Sequence, residues 1–464
     1  VSESGFVVPS LRFISPPQAD VDGPMLSLPV RSAAEDLRAL FDGDTQRAIA
    51  SGLCLECRGA KLLCGKPRCP ILVRYDGMMR SARLVDRIDL EGSSPPGVFV
   101  GRFGYPKVYV GPLVPPVHGD TEILDTPEAW IGRTMEEIVG FRSQLVRGMH
   151  RVHVMDVETG GRIVDLTRDL ALSTAATDVE AGFSRRPRGR VVLDDDVQPF
   201  GPSAPLRRLD LGSLRVDRRL DRATSDTDLL ARDAVLGLHR DGVGVSKIQR
   251  AFSVGAFGLT KNRRFVPTRW SITAVDDTIG KDLRETVKTF PLVNEIRVHE
   301  AVGFDDRFLV VQMPRPWRYE LIEAWYPDTL WNPLGREVVM FGDHEGFEGR
   351  STYATIGGCY YAARLAVGEA LVRQRRQAAT VILRETHPGY LMPMGVWNVR
   401  EHVREALRRP PRTFATVREA LAYVGTRLDI PTERYVRVSS VLKHVLYQRT
   451  FDDFRPGEGP VGLG

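Results

Sequence analysis

The spacing of apolar residues changes character several times along the chain, and each change predicts an element. A Pro-, Ser- and Gly-rich lead-in covers residues 1–31. Ser32 with Glu35 then has the form of a capping box, ahead of a helical pattern through Leu37, Leu40, Phe41 and Ile49. Ile71–Tyr75 predicts a strand, and residues 93–113 predict a β-hairpin, two β-rich runs around a Gly/Tyr/Pro turn. Helical spacing returns over Trp130–Gly148 and Ile163–Phe183.

A punctuated stretch, residues 184–205, carries an arginine run, three aspartates and several prolines, and is expected to be a linker or a functional loop. Helices are predicted over Asp226–Arg240 and Ser246–Gly255, then an apolar strand ending at Asp276 and Asp277, then a helix over Asp282–Phe290. Glu295–Pro314 reads as a hairpin turning at Gly303–Arg307, and Arg318–Tyr326 as a strand. A polar Gly-rich loop at 343–350, a helix over Tyr360–Gln377, a strand over Thr380–Arg384 and helices over Trp397–Arg409 and Phe414–Leu428 complete the pattern.

Strands and helices that do not alternate strictly predict an α+β fold, one or more mixed sheets with surrounding helices. A small four-cysteine metal-binding loop near the N-terminus is added to it. The expected organisation is an N-terminal domain over 32–183, the junction at 184–205, a C-terminal α+β domain over 206–446 and a tail over 447–464.

Composition narrows the class. With 464 residues, 42% apolar and 27% charged, the chain matches a soluble globular protein, and no apolar run approaches the roughly 20 residues that span a bilayer. No secretory pattern opens the sequence, so a cytoplasmic location is expected. Net charge is +5 and the pI about 8.9, a mild excess that leaves any nucleic-acid contact to local patches.

The loop Cys54-Leu-Glu-Cys57-Arg-Gly-Ala-Lys-Leu-Leu-Cys64-Gly-Lys-Pro-Arg-Cys69-Pro70 holds four of the five cysteines. Thiolates are soft ligands for a tetrahedral ion, so Cys54, Cys57, Cys64 and Cys69 are expected to bind structural zinc, with all four positions filled and none open for catalysis. Disulfides, an iron–sulfur cluster and unliganded thiols are the alternatives, the cluster because proline follows Cys69. Arg58, Lys61, Lys66 and Arg68 lie between the ligands and are candidates for contact with DNA. So are Arg102, Tyr105 and Lys107 at the first hairpin tip, where an aromatic beside cations suits a base and its phosphate, although an ordinary charged turn has the same pattern. Arg263, Arg264 and Arg269 form a third cationic group.

No Walker loop, nucleophile elbow or HExxH pattern occurs. Catalytic candidates are Asp276 and Asp277 as Mg²⁺ ligands, or else as a helix cap, and His344, Glu345 and Glu348 as a metal or acid–base cluster, or else as solvated polar residues. Cys359 reads as a small buried residue at a helix start. Near the C-terminus, Gln448, Phe451 and Phe454 have the spacing of a short peptide that plugs into a sliding clamp; a terminal helix docked on its own core would share that pattern.

Together the cysteine loop, the hairpin SSPPGVFVGRFGYPKVYVGPL, GPSAPL, RFVPTRWSITAVDD, EGFEGRSTYATIGGCYYAARLAV and QRTFDDF resemble the archaeal Nre family of DNA-repair proteins, of the NreA type, over nearly the whole chain. The resemblance implies a zinc-finger-like role for Cys54, Cys57, Cys64 and Cys69, and a PCNA-clamp role for Gln448, Phe451 and Phe454. Arg455 stands where that motif has a second aromatic. The expected function is a DNA-binding repair factor recruited to the clamp. The alternative is a metal-dependent, nuclease-like enzyme using the acids after residue 260.

Overall fold

The computed structural model describes residue 57 and residues 60–82, 87–189, 200–332 and 336–447. The lead-in, the helical pattern after Ser32, Cys54, Arg58 and the clamp-type motif lie outside these residues. Among the described residues the architecture is α+β, built on two mixed six-stranded sheets, and no helix is long and apolar enough to cross a membrane.

The first sheet runs β1-β5-β6-β4-β3-β2, with β1 at Asp89–Ser94, β2 at Val98–Val100, β3 at Lys107–Val114, β4 at Val146–His153, β5 at Thr177–Phe183 and β6 at Ser203–Leu211. The predicted hairpin is β2–β3, in register Val98 with Pro112 and Val100 with Val110. Before the sheet, α1 spans Pro70–Ala82, where a strand was expected at 71–75. Pro70 has the fixed φ of a first helical residue, and the Val73 N–H bonds the Cys69 carbonyl. The expected helix at Trp130–Gly148 is confined to α2, Met135–Gln144, started by a Thr134/Glu137 capping box. The one expected at Ile163–Phe183 divides into α3, Arg162–Leu172, and β5, whose Thr177–Ala181 alternates buried and exposed in the two-residue period of a strand. The 184–205 stretch lies between β5 and β6, which pair antiparallel within one sheet.

Helices α4 (Arg218–Ser225), α5 (Ala231–Arg240), α6 (Val245–Ser253) and α7 (Thr268–Val287) follow. The segment through Asp276 and Asp277 was expected to be a strand, but it is the middle of the 20-residue α7. The buried Ser271, Val275, Ile279, Leu283 and Val287 repeat every four residues, which is helical spacing. Val275, Ile279 and Leu283 join the first sheet's core, while Val287 belongs to the second sheet's, so α7 links the two.

The second sheet runs β10-β9-β11-β8-β7-β12. Its strands are β7 (Ile296–Gly303), β8 (Asp306–Met313), β9 (Arg318–Trp325), β10 (Val339–Glu345), β11 (Ala379–Thr386) and β12 (Arg412–Phe414). The β7–β8 hairpin turns at Phe304 and Asp305, both at positive φ, within the turn expected from sequence. Helices α8 (Gly358–Gln374) and α9 (Val396–Arg408) cover one face. On the other lie α10 (Val417–Gly425), α11 (Thr432–Val438) and α12 (Ser440–Tyr447). β11 is buried along its whole length, with Ile382 in one layer and Val381 and Leu383 in the other.

Candidate nucleic-acid interface

Two segments that are far apart in sequence meet at one edge of the first sheet. The loop 101–106 closes the β2–β3 hairpin through a positive-φ Gly104, whose carbonyl accepts from the Lys107 N–H, and a cis Tyr105–Pro106 bond. At its tip Phe103 is 68% and Tyr105 47% exposed. The Arg102 guanidinium lies over the Phe103 ring at 5.0 Å. The tip leans on the start of α7. Tyr105 packs against Trp270 with ring centroids 5.3 Å apart, and Trp270 is itself 46% exposed. At the hairpin root the Val100 N–H donates to Thr268 Oγ1 at 2.9 Å. The approach to α7 is also fixed, by Phe265 N–H to the Val154 carbonyl and by Ser253 Oγ to the Val266 carbonyl. Lys107, which opens β3, and Arg269, next to Trp270 in sequence, are exposed.

The surface therefore presents three aromatic rings and three cations, held by backbone at both roots. Large rings left in water are unfavourable by tens of calories per mole per Å² of apolar area, so an exposed cluster of them marks a binding surface. Cations beside ring faces suit a sugar–phosphate chain with unstacked bases. Sequence reasoning named Arg102, Tyr105, Lys107 and Arg269 but missed Phe103 and Trp270. The signal for Phe103 was an aromatic between Arg and Gly in a predicted turn.

Other expected DNA contacts are placed differently. Arg263 is buried and donates to the carbonyls of Gly258 (2.9 Å), Thr224 (2.7 Å) and Asp226 (3.2 Å), so its guanidinium is engaged as a structural clasp. Arg264 is exposed, its Nε donating to the Asn262 carbonyl. In the cysteine loop Arg68 pairs with Glu136, Lys66 donates to the Asp328 carbonyl, and Lys61 is exposed.

Cys57 is buried and takes the N–H groups of Ala60 and Lys61 on its carbonyl, a tight turn continued by positive φ at Leu62 and Gly65. Cys64 and Cys69 are half-buried, and Cys69 sits at the start of α1. The donor set and the wrapping turn suit zinc. Among the described residues these three thiols do not gather within 4.8 Å of one another, so an ion would have to draw the loop together with Cys54.

The acidic candidates do not converge on one point. Asp276 is fully buried, accepting from Arg400 Nη1 at 3.0 Å on each oxygen and from Gln249 at 2.7 Å. Burial pushes its carboxyl up to about 6 against the pull of Arg400, which leaves it ionised at neutral pH. Asp277 meets Arg364 Nη2 at 2.6 Å and Lys281 at 2.7 Å. Glu345, at the end of β10, is buried and accepts from Arg364 Nη1 (2.8 Å), Trp317 Nε1 (3.1 Å) and Tyr360 Oη (3.0 Å). A guanidinium thus stands where a metal between Asp277 and Glu345 would have to sit. His344 and Glu348 are exposed. Cys359 lies in the first turn of α8, as expected, its thiol pushed up by burial. The arginines missed by sequence reasoning, Arg364 and Arg400, are the ones that decide what these acids do.

Two family descriptions match the chain: "Archaeal Nre, N-terminal" over residues 63–332 and "Archaeal Nre, C-terminal" over residues 345–454. "DNA repair protein NreB" of Archaeoglobus fulgidus is 41% identical over 402 residues, 86% of this chain and 99% of that protein. "DNA repair protein NreA" of the same organism is 33% identical over 82% of this chain and 95% of its own length. The protein of that name in Haloferax volcanii is 36% identical over 74% of this chain and 83% of its own length. No solved structure matches the chain. The breadth of these matches establishes that the chain belongs to the archaeal Nre family.

Proposed function

We propose that this chain is a DNA-repair factor that binds DNA at the hairpin tip and the first turn of α7. The relatives' names supply the repair role. The carrying observation is the Tyr105–Trp270 contact, which brings Arg102, Phe103, Lys107 and Arg269 from two segments onto one surface. In this proposal the exposed rings stack on unpaired bases, and the cations grip phosphate. Cys54, Cys57, Cys64 and Cys69 hold structural zinc. Gln448, Phe451 and Phe454 dock on the PCNA clamp. The last described helix ends at an exposed Tyr447, immediately before that motif.

The test is fluorescence anisotropy with single-stranded, branched and duplex DNA at several salt concentrations. Each stacked base is worth about 1–3 kcal/mol, so Phe103→Ala with Trp270→Ala should weaken single-strand binding by at least roughly tenfold. Arg102→Gln and Lys107→Gln should each lower the salt slope by about 1. Unchanged affinity and slope in folded variants would reject this surface as the interface. A peptide over residues 447–456 should bind PCNA, and Phe451→Ala with Phe454→Ala should abolish binding; equal binding by both peptides removes the clamp role.

A further inference from the structure

Far from the hairpin, at the open end of β11, three metal-ligand side chains come together. Glu385 lies near the end of the strand, and His387 follows two residues later on the same side. Asp429 reaches them from the turn between α10 and α11. One ligand atom from each lies within 4.8 Å of the others, the single such group of three among the described residues.

What each atom already does separates this group from a closed ion-pair network. Glu385 Oε1 accepts from the Ile430 N–H (2.9 Å) and Tyr435 Oη (3.2 Å), and Oε2 accepts from the Asp429 N–H (3.0 Å). The buried carboxylate therefore fixes the turn that carries Asp429. Arg307 Nη1 holds Asp429 Oδ1 at 2.6 Å and stands 4.0 Å from Glu385 Oε2. Asp429 Oδ2 lies on the other side, 4.0 Å from His387 Nε2, which is 3.4 Å from Glu385 Oε2. That imidazole nitrogen is buried and makes no hydrogen bond. The ring is held from behind by Tyr326, stacked at 4.3 Å, and the His387 N–H donates to the Asp305 carbonyl.

We propose that Glu385, His387 and Asp429 bind a divalent metal ion of the Mn²⁺ or Zn²⁺ class through Oε2, Nε2 and Oδ2. Bonds of about 2.1 Å in a tetrahedral shell place ligand atoms about 3.4 Å apart. The observed 3.4 and 4.0 Å, with the third pair inside 4.8 Å, call for an inward turn of Asp429, whose side chain is 54% exposed. One imidazole and two carboxylates suit such an ion better than they suit a soft one. Two carboxylates against one guanidinium leave a net negative charge for the ion to offset.

The test is Mn²⁺ binding to the metal-stripped full chain, followed by the electron paramagnetic resonance of free Mn²⁺. Mn²⁺ prefers oxygen and nitrogen donors, so the cysteine loop does not compete for it. The wild-type chain should bind one Mn²⁺, and His387→Ala and Asp429→Asn should each weaken binding at least tenfold. Asp429 is at the surface, so its variant keeps the test valid if His387→Ala misfolds. No stoichiometric binding by wild type, or equal binding by wild type and Asp429→Asn, would overturn the assignment and leave Arg307 as the only cation these acids hold.

Discussion

Replacing Arg364 by Met asks whether the acids after residue 260 are structural. The Arg364 side chain is fully buried, bonded at 2.8 Å to an equally buried Glu345 and at 2.6 Å to the partly exposed Asp277. Asp277 can be hydrated and keeps Lys281, so its loss is small. Glu345 retains Trp317 and Tyr360 and keeps Arg284 Nη1 at 3.8 Å, but loses the one cation bonded to it directly. Removing one partner of a buried pair costs about 3–5 kcal/mol, because a charge is left desolvated. With about 2.1 cal/mol/K of unfolding entropy per residue and 464 residues, about 4 kcal/mol lowers Tm by roughly 4 °C. Lys281→Ala, which removes the exposed partner of Asp277, should cost no more than about 0.5 kcal/mol. Adding Glu345→Gln to Arg364→Met removes the orphaned charge and should recover more than half of the loss. The assay is urea and thermal unfolding of the full chain followed by circular dichroism. An Arg364→Met chain within about 1 kcal/mol of wild type, or a double variant no better than the single, would refute the reasoning.

The remaining predictions use the same structure. Burial raises the Glu369 carboxyl, but hydrogen bonds from His239 and Arg404 prevail and hold it at about 2, below its ordinary 4.5. Its contribution is full above pH 4.5 and is lost as pH falls toward 2, about 2 kcal/mol of it by pH 3. Urea unfolding at pH 5 and pH 3 should show that loss in wild type and not in Glu369→Gln; parallel slopes would count against it. Arg263→Gln should cost about 2–4 kcal/mol by urea unfolding, because three carbonyls lose their donor, while the DNA salt slope stays unchanged. Lys107→Gln, at the exposed hairpin tip, should do the reverse, lowering that slope by about 1 with stability within about 0.5 kcal/mol.

The parts of the fold that were legible in the sequence carried their own signal. Both hairpins, at 98–114 and 296–313, show a turn between β-rich runs, and those cues are local. The errors arose where local composition and longer spacing disagreed. Ile272, Thr273 and Val275 are β-branched and resemble a strand, yet the buried positions from Ser271 to Val287 repeat with helical period. Ile71–Tyr75 misled in the same way. The first sheet extends past residue 205 because β6 pairs with β4 and β5, and long-range pairing leaves no mark within a window of a few residues. The candidate site divides along the same line. Arg102, Tyr105, Lys107 and Arg269 were visible as residue types, but the contact that joins them spans 105 to 270. Asp276 and Glu345 were visible as acids, while the arginines that neutralise them lie on other helices.

The placement of those acids also governs how mutational data on this chain should be interpreted. Asp276 and Asp277 lie near the middle of α7, pinned by Arg400 and Arg364 from α9 and α8. Trp270, in the first turn of the same helix, is the surface on which the hairpin tip rests. A substitution at Asp276 leaves Arg400 buried without its main partner and loosens α7 against its neighbours, so it displaces Trp270 without any loss of chemistry. Lost DNA binding or repair in an Asp276 variant would therefore be expected from a purely structural carboxylate. A structural role predicts that affinity falls together with stability and that Trp270→Ala, which leaves every acid in place, reproduces the DNA-binding defect. A catalytic role predicts an Asp276→Asn chain that binds DNA with wild-type affinity and salt slope yet fails to turn it over. Only that combination would return these acids to an active site.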